Sequence, residues 1–149
     1  MSVLATYTSV YTHAFDLKGR ITVPAEWRNE PFESNLTIMP TQDKYLCVYP
    51  ASWLGRKQAA LEADSKSTEM QYEQLADLAS SSHSASLDAQ GRIVIKAHLR
   101  EGAGLPLDAK AMVVFVGRSD HFQMWEESEY KKRAYAPTTI EQTRKVVGR

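Results

Sequence analysis

Residues 16–28 read DLKGRITVPAEWR and residues 88–100 read DAQGRIVIKAHLR. The stretches are identical at Asp16/Asp88, Gly19/Gly91, Arg20/Arg92, Ile21/Ile93, Ala25/Ala97 and Arg28/Arg100. A repeat of this kind decides the fold before any single element does, because each copy must make the same local structure. A weaker match follows each copy: residues 36–49, LTIMPTQDKYLCVY, resemble residues 112–125, MVVFVGRSDHFQMW. The chain therefore divides into a first unit over 9–50, a segment over 51–80, a second unit over 81–125 and a C-terminal part over 126–149.

Within each unit, Asp at the first position and Gly at the fourth (Asp16 and Gly19, Asp88 and Gly91) suit a type I turn closing a β-hairpin. The carboxylate accepts backbone N–H bonds and the glycine tolerates positive φ. Alternation after the turn puts Ile21 and Val23, or Ile93 and Ile95, on a buried face. Arg20 and Thr22, or Arg92 and Val94, take the other face. Pro24 can open a short helix, and its counterpart over 97–101 ends near Gly102 and Gly104. Strands follow over 36–39 and 45–49, and again over 112–116 and 122–125, with turns at 41–44 and 117–120. The separating segment has helix-forming composition over 52–63 and 68–79, and Thr68 with Gln71 fits a capping box. Its apolar residues Trp53, Leu54, Leu61, Met70, Tyr72, Leu75 and Leu78 are expected to cover the strands. A terminal helix over 126–136 is expected to stop at Pro137, leaving a tail that carries Arg144, Lys145 and Arg149.

The chain has 149 residues, with 18 Lys+Arg against 18 Asp+Glu and 43% apolar content, as in an ordinary globular protein. The longest uncharged apolar run, residues 111–117, stops at Arg118, far short of the roughly 20 residues that span a bilayer, so no membrane partner is expected. The first fifteen residues lack both Lys/Arg and a continuous apolar stretch and do not read as a signal peptide. The single cysteine, Cys47, can form neither an internal disulfide nor a multi-thiolate metal site and suits a reducing cytoplasm. Zero net charge excludes a uniformly basic coat, so nucleic-acid binding must come from a local patch. Arg20 and Arg92 can supply it, since guanidinium forks match guanine O6/N7 edges and phosphate oxygens, but each can equally pair with the Asp four residues back. Arg28 and Arg100 can pair with Glu30, Glu33 or Glu101, and both, like Lys96, are also candidate phosphate contacts.

An enzyme is not expected. His13, His83, His98 and His121 are scattered, and no metalloprotease, nucleophile-elbow or phosphate-loop motif occurs. Cys47 reads as a small core hydrophobe and residues 82–84 as a loop, leaving no catalytic residue, metal ligand or cofactor site.

The doubled Asp-x-x-Gly-Arg motif, each copy followed by an Ile/Val strand and a short helix ending in Arg, resembles the MraZ family of bacterial transcriptional regulators over nearly all of residues 11–128. The resemblance implies two AbrB-like (SpoVT/AbrB) units whose hairpins interleave, giving a mainly β fold with helices: a swapped-hairpin β-barrel with a helical linker. It further implies nucleoid-associated binding to double-stranded promoter DNA by a ring-like homo-oligomer. The target would be short G-rich direct repeats, through which a cell-division and cell-wall gene cluster is repressed. Carried onto this chain, the family's motif residues fall on Asp16 and Arg20 and on Asp88 and Arg92, with the basic residue of the first turn at Lys18; Gln90 holds that place in the second turn. The alternative is an interaction or antitoxin-like module that uses the same barrel mainly to assemble. Since units of about 40 residues cannot bury an adequate core alone, the halves are expected to share one.

Overall fold

The computed structural model describes residues 4–133 and 138–147. The first copy supplies β1 (Val10–Ala14), β2 (Arg20–Thr22), a 3-10 turn (Ala25–Trp27), β3 (Asn35–Pro40) and β4 (Tyr45–Pro50). Helices α1 (Ser52–Ala63) and α2 (Glu69–Ser81) lead to the second copy: β5 (His83–Ser86), β6 (Arg92–Val94), α3 (Ala97–Gly102), β7 (Met112–Gly117) and β8 (Phe122–Glu126). The chain continues with α4 (Glu127–Lys131) and α5 (Ile140–Val147). It is a mainly antiparallel β fold with helices.

The copies trade strands. A six-stranded sheet runs β1-β7-β8-β4-β3-β5, while β2 and β6 form a separate two-stranded ribbon. β1 pairs with β7 of the other copy, and β5 with β3 in the same exchanged sense. Ile21 lies opposite its repeat counterpart Ile93, and Cys47 opposite Gln123, so both central contacts carry the twofold pattern of the repeat. The ladder ends at β1 and β5 without a return pairing, so hydrogen bonds do not close the strands into a barrel.

Each expected turn forms, yet β1 does not ladder with β2. Asp16 N–H donates to Arg20 O at 2.8 Å and Gly19 N–H to Asp16 O at 3.2 Å; the second turn repeats this at 2.9 and 3.0 Å. Past the turn the strands separate, because β2 is held by β6 and β1 by β7. Crossing bonds fix the arrangement: Val23 N–H donates to Gly91 O at 2.9 Å, and Ile95 N–H to Gly19 O at 3.2 Å.

One core joins both copies. Ile21, Val23, Ile93 and Ile95 are buried, as alternation predicts, together with Leu46, Val48, Phe115, Phe122 and Met124. Tyr7 and Trp27 complete it, Trp27 stacking on Phe122 at 5.1 Å and meeting Tyr7 edge-on at 5.4 Å. On the other sheet face Val114, Val116 and Trp125 are buried with Tyr45 and Tyr130. The expectation for the linker needs correction. The capping box at Thr68 is present, but α1 and α2 bury no residue and pack chiefly on each other. Leu61, Leu75 and Leu78 line a groove between them instead of covering the strands, Trp53 lines that groove while its ring also lies 4.3 Å from that of Tyr49 on β4, and Met70 is exposed. The sheet's inner face is already filled by the repeat's own Ile, Val and aromatic side chains. The helix expected over 126–136 is shorter, covering Glu127–Lys131 with Lys132 and Arg133 in a turn, while Pro137 and Arg149 lie outside the described residues; Ile140–Val147 of the tail form α5. Among the described residues no helix is long and apolar enough to cross a membrane.

Candidate nucleic-acid interface

The two Asp-x-x-Gly-Arg turns build matching arginine clamps. In the first, one oxygen of Asp16, Oδ1, accepts the backbone N–H groups of Lys18 and Arg20, each at 2.9 Å. The other, Oδ2, accepts Arg20 Nε–H at 2.6 Å. In the second, Asp88 accepts from the Gln90 and Arg92 backbones at 2.9 Å each, and from Arg92 Nε–H at 2.8 Å. Both carboxyls lie below the usual carboxylate range, chiefly because of the backbone N–H of the motif arginine, with its side chain adding to the effect. A lowered carboxylate pKa means that the clamp is lost only as pH falls through that lowered value, so it stays intact from about pH 5 to pH 8. The ion pair is not an alternative to a ligand-facing arginine. It uses Nε alone, and the Nη groups of Arg20 and Arg92 make no hydrogen bond among the described residues.

The ribbon sets where the clamps point. Cross-strand partners share a face, as do alternate residues of one strand. Arg20 opposite Val94 and Thr22 opposite Arg92 therefore stand together on one side, with Ile21 and Ile93 buried on the other. The arginines sit on a diagonal, with turns at opposite ends of the ribbon. Lys18 is exposed at the tip of the first turn, where the second has Gln90. A two-stranded ribbon with an outward basic face has the dimensions that a DNA major groove admits.

Arg28 and Arg100 occupy a different environment. Arg28 Nη1 donates to the backbone O of Gln90 at 3.0 Å, across from its own copy. The Arg100 guanidinium lies over the Phe15 ring at 4.9 Å and against Gly19. Neither pairs with Glu30, Glu33 or Glu101 among the described residues. Each braces the turn of the other copy, a task that sequence reading missed. The one available signal was the equal spacing of Arg28 from Gly19 and of Arg100 from Gly91 in the two copies of the repeat.

The remaining reactive groups meet at most in pairs among the described residues. Cys47 is half-buried on β4 and its thiol is pushed up to about 11 by burial, which leaves it neutral and a poor nucleophile at pH 7. The ring of His121 stacks on Tyr49 at 4.4 Å with Nδ1 2.8 Å from Asp120. His83 and His98 meet edge-on at 5.4 Å, and His13 packs on Phe115. Among the described residues no three His, Cys, Asp or Glu side chains are grouped to hold a metal ion.

Comparison with known proteins agrees with the repeat. A family model described as "MraZ protein, putative antitoxin-like" matches residues 78–143. A protein of Corynebacterium urealyticum named transcriptional regulator MraZ is 31% identical over 130 residues, 87% of each chain. Its namesake in Corynebacterium jeikeium is 34% identical over 125 residues, 83% of each chain. That of Mycobacterium avium is 30% identical over 125 residues, 84% of each chain. With identity sustained at this level along most of both chains, and with the doubled Asp-x-x-Gly-Arg turns intact, this chain belongs to the MraZ family.

Proposed function

We propose that the chain is a sequence-specific DNA-binding transcriptional regulator, not an enzyme, and that it works as an oligomer. The observation that carries the reading is the outward face of the β2–β6 ribbon, where Arg20 and Arg92 are pre-oriented by Asp16 and Asp88 with their Nη groups available. The names of the relatives support regulation of transcription. The exchanged pairing of β1 with β7 and β3 with β5 supports two AbrB-like units, 9–50 and 81–125, with interleaved hairpins; 51–80 is then a helical linker and 126–149 a C-terminal appendage. On this reading the protein is a ring-like homo-oligomer acting at the nucleoid in the cytoplasm. It binds short G-rich direct repeats in promoter DNA and represses a cell-division and cell-wall gene cluster. Lys18, Arg20 and Arg92 contact the DNA, and Arg28 joins them at the phosphates if it swings out from Gln90.

Oligomerisation answers the charge problem. A subunit of zero net charge binds DNA weakly, but several subunits presenting Lys18 and Arg20 to one duplex gain through effective concentration. Light scattering should give a multi-subunit mass. A mobility-shift titration should show an array of repeats from the chain's own upstream DNA bound far more tightly than one repeat or scrambled DNA. A monomer mass, or equal binding of operator and scrambled duplex, defeats the proposal. The second outcome, combined with a large oligomer, favours instead the antitoxin-like interaction module that the family description suggests.

Lys18→Gln separates charge from readout. Lys18 is a flexible point charge at an exposed turn, so its loss should weaken all sequences alike and lower the salt slope by roughly one unit per engaged subunit. Titrations at several salt concentrations measure this; a selective loss of operator binding would reassign Lys18 to base contact.

A further inference from the structure

The outward ribbon face holds a side chain that neither the core nor the charge pattern accounts for. Val94 is 54% exposed and lies directly opposite Arg20, two residues along β6 from Arg92. The first copy has Thr22 at this position, opposite Arg92. Its neighbours Ile93 and Ile95 are buried, so Val94 is the member of this Ile-Val-Ile run that contributes nothing to the core. Val94 and Thr22 thus place β-branched methyl groups at the centre of a face whose corners are two clamped guanidiniums. Diagonal Cα atoms on such a ribbon are about 7–8 Å apart. With base pairs stacked at about 3.4 Å, two arginines at that spacing bracket roughly two base steps.

In a major groove the apolar group that offers a match to an exposed methyl is the C5-methyl of thymine, whereas guanine, cytosine and adenine carry no methyl there. We propose that Val94, assisted by Thr22, is a specificity-determining residue that packs on a thymine C5-methyl lying between or beside the bases contacted by Arg20 and Arg92. The inference rests on the DNA-binding reading above and adds a requirement to it: the preferred site contains thymine within reach of the ribbon's centre.

Replacing thymine by uracil deletes that methyl and leaves every hydrogen-bonding edge in place. A duplex selected from a random library by the wild-type protein would be compared with the same duplex carrying uracil at each thymine. One to two methyl contacts predict that the uracil duplex binds the wild-type protein roughly threefold to tenfold more weakly. In Val94→Ala that penalty should shrink at least twofold, and in the Val94→Ala/Thr22→Ser protein it should vanish, while scrambled duplex is bound as before. Val94 is exposed, so a thermal melt should show these variants folded. Equal wild-type binding of the two duplexes, or an undiminished penalty in Val94→Ala, overturns the inference and leaves DNA binding standing. Failure of the wild-type protein to retain any duplex during selection removes both.

Discussion

Replacing Arg20 by alanine is expected to lower operator affinity by between about 30-fold and 10⁴-fold when two subunits are engaged. Each bidentate guanine contact contributes about 1–3 kcal/mol, and the contributions of linked sites add. The size of the effect follows from how the side chain is held. Asp16 fixes Nε, and the same carboxylate fixes the backbone of the turn. The guanidinium plane is therefore set before DNA arrives, and little rotamer freedom remains to be lost on binding. The loss should fall on discrimination, with operator and scrambled DNA becoming nearly equivalent, while the oligomer mass stays unchanged because an exposed ion pair adds little to packing.

Arg92→Ala provides the comparison, because the two clamps are nearly superposable in chemistry. Their Nε to Oδ2 distances are 2.6 and 2.8 Å, and the arginine side chains are 29% and 26% exposed. Geometry alone would make the arginines equivalent. The difference lies in the turn, where Lys18 adds a second positive charge to the first clamp and Gln90 adds none to the second. Arg20→Ala should therefore cost more than Arg92→Ala. Side-by-side titrations decide it: an Arg20→Ala protein that keeps its operator preference, or an Arg92→Ala protein that fails more severely, would falsify the assignment.

The parts of this molecule that were legible in its sequence are those set by local chemistry. Asp and Gly three apart form the turn whatever surrounds them, and strict alternation buries Ile21, Val23, Ile93 and Ile95. Pairing partners were not legible, because strand ladders are long-range choices. Nothing within residues 10–22 states that β1 will join β7 while β2 joins β6. Tyr7 shows the same limit. It precedes the first repeat in a stretch without pattern, yet it is buried against Trp27, Phe32 and Phe122, and its backbone bridges to Ser119. The linker misled for the opposite reason. Its apolar residues follow helical spacing, but that spacing does not say which surface will receive them, and here the helices chiefly face each other while Trp53 meets Tyr49. At the interface, the clamp residues could be read from the motif; the bracing of each turn by the other copy's arginine depends on the exchanged fold.

That bracing makes Gly91→Ala the most destabilising single change expected in the motif, at about 2–4 kcal/mol and a fall in Tm of about 5–15 °C. Two costs combine. Gly91 has φ of +78°, a left-handed conformation that alanine adopts only under strain. A Cβ there would also stand 2.0 Å from Nη1 and 2.4 Å from Cδ of Arg28, so the arginine stem must leave its place against the turn and release Gln90 O. Gly19→Ala meets the same backbone penalty at φ +76°, but its Cβ would stand 3.0 Å from Nη2 at the tip of the Arg100 side chain and 3.6 Å from Ile95 O, a much looser fit than at Gly91. Its cost should be smaller, about 1–2 kcal/mol. The double variant Gly91→Ala/Arg28→Ala distinguishes the two terms, because removing the arginine relieves the collision and leaves the backbone strain. Thermal denaturation should show the pair more stable than the two single losses sum to, since residues in contact couple. Strict additivity would mean that Arg28 does not press on Gly91, and that the left-handed backbone accounts for the whole effect.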